Sequence, residues 1–175
     1  MKPQIIPIEV PGDSEINTQL SGANFHDAYK VRVSTGERSA LDIYLDIVSQ
    51  TPSWVDYLMA LRNKITSIFG LKDLGLLGDV NSSKTGKDYC VGERVGIFSI
   101  LSLSEKEVIL GDSDKHLDVK VSIYKLNEGN SKFVAVSTVV YIHNALGRIY
   151  MLFIVPVHKL IVPATLARIG TANNT

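Results

Sequence analysis

The chain has 175 residues, and its eighteen Lys and Arg balance eighteen Asp and Glu, so no net charge draws it toward nucleic acid. Hydrophobic residues make up 45% and the mean hydropathy is +0.13, which excludes a disordered chain and suits one domain with a sizeable core. The single Cys90 cannot form an intrachain disulfide or a CxxC site, so a reducing, cytoplasmic setting is the expectation. A secretory h-region is not visible after Met1.

Residues 1–24 hold Pro3, Pro7, Pro11 and a Gly12-Asp13-Ser14 turn and read as an extended arm. From Phe25 to Val33, Phe25, Tyr29, Val31 and Val33 alternate with His26, Lys30 and Arg32, predicting a half-buried strand. Ser39 and Asp42 resemble a capping box ahead of a helix over about 40–49. A second helix is bounded by Thr51-Pro52 and Gly70, with Trp54, Leu58, Leu61, Ile65, Ile68 and Phe69 as its apolar stripe. The glycine-bearing stretch 72–93 reads as a long loop or a loop with a short strand inside it.

Beyond Val95 the period switches to two. Residues 97–103, 107–110, 117–126 and 133–143 predict consecutive strands of an antiparallel meander. The last of these is apolar on both parities, so both its faces should be covered. Asn144 can cap a final helix carrying Ile149, Leu152, Phe153, Leu160 and Ile161, although periodicity alone leaves a buried strand open for 149–155. Pro156, His158, Lys159 and Pro163 argue against a transmembrane span over 149–167. Residues 170–175 read as a flexible tail.

Several stretches resemble one family, DUF2867, a domain of unknown function. They are Gly22 to Tyr29, Thr51 to Val55, Leu61-Arg62-Asn63, Phe69 to Lys72, Gly92 to Gly96 and His116-Leu117-Asp118. The likeness continues through Ser137 to Val140, His143-Asn144, Gly147 to Tyr150 and Pro156 to Leu160, covering nearly the whole chain in order. The element order is similar to the α+β helix-grip fold of START and Bet v 1-like proteins. That fold has a curved antiparallel sheet, two short helices in the N-terminal half and a long C-terminal helix. The resemblance implies a single domain over 1–175 with a cavity between sheet and C-terminal helix, and no reaction or cofactor.

Candidate chemistry is sparse: there is no GxSxG, no HExxH and no Walker loop. Trp54, Arg62, Phe98, Tyr124, Tyr141, His143, Tyr150 and Phe153 are the expected residues for a small hydrophobic ligand, lipid-, sterol- or polyketide-like. His143 and Tyr150 are the candidates for a general base and acid in a cyclase- or hydrolase-like alternative, although Asn144 capping and a tied strand end explain the same residues structurally. His158 reads as a satisfied core histidine. His116 and Asp118 are the weak metal candidates, and an acidic hairpin tip explains them without an ion. The last acid is Glu128, so residues 129–175 carry Lys132, Arg148, Lys159 and Arg168 unopposed. That pattern suits an anionic lipophile or transient membrane contact as well as plain surface solubility. A homodimer through the outer sheet face is the further partner expectation.

Overall fold

In the computed structural model, residues 3–34, 38–68, 80 and 83–172 are described. The strands are β1 (Ile5–Ile8), β2 (Phe25–Arg32), β3 (Arg94–Val95), β4 (Phe98–Leu103), β5 (Glu107–Ser113), β6 (Leu117–Glu128) and β7 (Ser131–Ile142). They form one antiparallel sheet in the order β1-β2-β7-β6-β5-β4-β3. The helices are α1 (Ala40–Ser49), α2 (Ser53–Ile68) and α3 (Ala145–Ala172). This is the helix-grip arrangement: after β2 the chain makes two helices, meanders back through five strands, and closes β7 against β2 before α3 crosses the inner face.

Local chemistry explains the boundaries. Ser39 caps α1, its Oγ accepting the Asp42 N–H at 3.1 Å and donating to Asp42 Oδ2 at 2.6 Å. The β6–β7 turn closes on Gly129, whose φ of +57° an L side chain rarely adopts. Asn144 caps α3 by accepting the Gly147 N–H at 3.1 Å. Residues 149–155, open between strand and helix on periodicity, are helical, and α3 continues through Pro156 and Pro163. Gly147 permits a close approach there, since a Cβ on it would stand 2.4 Å from the His116 carbonyl oxygen.

Side-chain alternation gives the sheet two faces. The inner one packs Val31, Val108, Leu110, Ile123, Val134 and Val136 against Leu41, Tyr44 and Val48 of α1 and Leu166 and Ile169 of α3. On the outer one, Ala28, Ile109 and Val139 are covered by Val10 and Ile16 of the same chain. The N-terminal stretch is therefore more than an arm: it contributes the edge strand β1 and a short 3-10 turn, Glu15–Gln19, laid across the outer face. Buried Glu107 fastens that turn, accepting the N–H groups of Glu15 at 2.6 Å and Ile16 at 3.2 Å and the Ser122 hydroxyl at 2.6 Å. Both faces of β7 are thus occupied, as its two apolar parities require.

Expectations from the sequence change in detail at α2 and at the C-terminal tail. On α2 it is Val55, Leu58 and Met59 that face inward, while Trp54 and Tyr57 are exposed. The helix carries apolar residues on more than one side, and only the sheet beneath decides which side is buried. Of the expected flexible tail at 170–175, residues 170–172 are the end of α3, while 173–175, the Gly70 end of α2 and residues 72–79, 81 and 82 of the expected loop lie outside the described residues.

Candidate functional site

A cavity of about 250 Å3 lies between the inner sheet face and the helices. Its floor is Val119, Val121 and Ile123 of β6 with Val136, Thr138 and Val140 of β7. Ile47 and Val48 of α1, Leu58 and Met59 of α2, and Met151, Ile154 and Ile161 of α3 form the walls. The odd positions of β6 and the even positions of β7 line it because antiparallel pairing sets Val121 opposite Thr138 on one face.

Its polar lining residues are few: Tyr44, Asp112, Asp114, Thr138, Tyr150, His158 and Thr165. At one end are Asp112, Asp114 and Tyr150. Asp114 is already engaged, its Oδ1 accepting the N–H groups of His116 at 2.6 Å and Leu117 at 3.0 Å to shape the β5–β6 turn. Nearer the middle, His158 of α3 reaches the sheet with Nε2 3.0 Å from both carboxylate oxygens of Asp27 on β2. The Phe25 ring meets the imidazole edge-on at 5.8 Å between centroids. An ionised carboxylate only accepts hydrogen bonds, so this contact places a proton on Nε2. Burial, followed by the nearby Asp27 charge, pushes the Tyr29 hydroxyl above its ordinary value. Thr165 spends its hydroxyl on the carbonyls of Ile161 and Val162 within its own helix. Among the described lining residues there is neither Lys nor Arg.

Of the residues expected to bind a ligand, Phe98 and Tyr150 stand on this cavity. Five others are placed elsewhere. Trp54 is partly exposed and Phe153 is 72% exposed on the outside of α3. Tyr124 and Tyr141 point to the outer face, where Tyr124 donates to Asp13 at 2.5 Å and Tyr141 to the Gln19 carbonyl. His143 also stands on that side, its Nε2 3.1 Å from Asp118. The structure therefore does not bring His143 and Tyr150 together on the cavity. The Arg62 side chain lies outside the described residues.

The metal candidates separate as well. His116 is buried with Nδ1 3.1 Å from Asn144 Oδ1, tying the hairpin to the α3 cap. Asp118 instead pairs with Ser113 and His143. Burial alone would raise the Asp118 carboxyl, but those two partners outweigh it and hold it below its ordinary value. Among the described residues no group of three or more His, Cys, Asp and Glu is placed to hold an ion.

His158 is the satisfied core histidine that the sequence leads one to expect, but its partner Asp27 is not named by it. A signal was present, since Asp27 falls on the parity of Phe25, Tyr29 and Val31, and an acid on the dry side of a strand needs a buried partner. The chain belongs to the family described as "Protein of unknown function (DUF2867)", whose profile matches residues 19–165. A search of curated proteins and a search of solved structures each return no significant match.

Proposed function

We propose that this domain binds a compact, predominantly apolar molecule in the cavity between sheet and α3. The supporting observation is the cavity itself: about 250 Å3 of space walled mainly by Val, Ile, Leu, Met and Phe, with few polar groups among its lining residues. Ligand sites are of this kind, mostly apolar with a few convergent polar groups, though usually ~300–1,000 Å3. The smaller volume favours a compact ligand over a full sterol. The START and Bet v 1-like likeness of the fold points the same way, since cavities in those superfamilies hold lipids, sterols and polyketides. Without Lys or Arg among the described lining residues, the cavity offers an anionic headgroup no counter-charge, and a neutral ligand suits it better.

The test is native mass spectrometry of freshly purified protein, with extraction and identification of whatever is released. A stoichiometric apolar molecule is expected from the wild type. Val121→Phe, which fills the floor at a cost of about 1–3 kcal/mol, should release it while the fold persists. Protein that is empty from every source and takes up no apolar probe would end this reading.

A second reading, acid–base catalysis, is favoured by the Asp27–His158 pair at the cavity wall. The carboxylate orients the imidazole and balances the charge it gains on accepting a proton, the relation a general base needs. In this alternative His158 takes the place first given to His143. A bound molecule recovered unchanged from wild type and from His158→Asn alike speaks for binding alone.

A further inference from the structure

We propose that α3 docks lengthwise on an anionic lipid surface through the face it turns away from the cavity. On that face Ile149, Leu152, Phe153, Pro156 and Leu160 are all exposed and recur at helical spacing, forming one apolar stripe. Leu152 and Phe153 are 74% and 72% exposed, values that place whole side chains in solvent. By length and composition the helix could cross a membrane from Ala145 to Ile169, yet only 17% of that window is buried inside the protein. A core helix of equal hydropathy would be mostly covered.

Charge argues for lipid over a soluble partner. Arg148 and Lys159 are exposed about three turns apart, on the same flank of the stripe beside Leu152. No carboxylate occurs anywhere from Gly129 to Thr175, so nothing on this helix repels an anionic surface. An apolar stripe with a cationic flank is the pattern of a helix lying in the headgroup region. The opposite side of α3 is committed: Met151, Thr165 and Ile169 are buried there, and His158 is held to Asp27 on β2. The helix therefore lies on the bilayer with the sheet behind it, and does not traverse it. None of this depends on what the cavity holds.

The experiment is sedimentation of the full chain with vesicles of phosphatidylcholine alone and of phosphatidylcholine mixed with phosphatidylglycerol. Sedimentation with the mixed vesicles, weakened by added salt, is expected. Arg148→Gln and Lys159→Gln should each reduce partition about fivefold on mixed vesicles and leave the neutral ones unaffected. Leu152→Glu with Phe153→Glu should abolish sedimentation with either, while melting as the wild type does because both positions are exposed. Should the double glutamate variant fail to fold, the glutamine variants decide alone. Absence of sedimentation, or sedimentation that none of these substitutions alters, overturns the proposal. So does a stable wild-type dimer that the glutamates convert to monomer without any lipid binding, which would assign the stripe to a second copy of the chain.

Discussion

Glu107 carries more of this fold than its position in a short strand suggests. It is 5% exposed and receives three hydrogen bonds, from two backbone N–H groups and one hydroxyl, across separations of up to 92 residues. Glu107→Ala would leave those donors buried and unpartnered, a loss of about 3 kcal/mol or more. The expected signature is a lowered urea midpoint together with faster amide exchange at Glu15 and Ile16; an unchanged midpoint would show that the turn holds on by packing alone. Two further carboxylates bear on stability in acid. Burial raises Asp42, but its bonds with Ser39 and the Gly86 N–H outweigh that and leave it depressed, and Asp118 is depressed in the same sense. Their stabilisation is complete above the ordinary 3.8 and is lost as pH falls below that through their depressed values. Denaturation followed from about pH 5 to about pH 2 should show the loss, with a shallower fall in Asp42→Asn.

At the scale of elements, legibility followed the range of the interactions. The capping box at Ser39 and the helix over 40–49 could be read because their determinants are three and four residues apart. The alternation of β2 was equally plain, whereas on β6 the polar parity is covered by the N-terminal stretch, Ser122 being fully buried. The 3-10 turn at Glu15–Gln19 was not legible, because its anchor is a carboxylate on β5 and its own residues read as any polar loop. The same reason hid the cavity-facing histidine: His143 and His158 look alike in sequence, and only the pairing of His158 with a residue 131 positions earlier separates them. Residues before Leu20 are almost all outside the stretch that the family profile matches, yet they cover the outer face. Removing residues 1–23 should therefore uncover Ala28, Ile109, Val139 and Tyr141 and produce dimers or larger species in light scattering. A remainder that stays monomeric and equally stable would mean that this cover is dispensable.

For the whole molecule, the decisive pairing joins β2 to β7, with Phe25 opposite Val140 and Arg32 opposite Phe133. It brings Asp27 beside Thr138 and under His158, so the polar spot of the cavity exists only once the first and last long strands have met. The order from β4 to β7 was implicit in the meander; the edge strand β1 and the cavity's chemistry were not, the latter because it is assembled across that closure.

The Asp27–His158 contact also ties α3 to the sheet as a wall with one side toward the cavity and the other toward the surroundings. An α-helix with its side chains is only about 10 Å thick. Whatever occupies the inside is therefore one helix away from whatever touches the outside, and any force that lifts the wall acts on both at once. By linkage, an occupant that favours the shut position must weaken contacts that favour the lifted one by the same factor, and the reverse. A cargo and a surface on opposite sides of α3 would thus sense each other without ever sharing a residue.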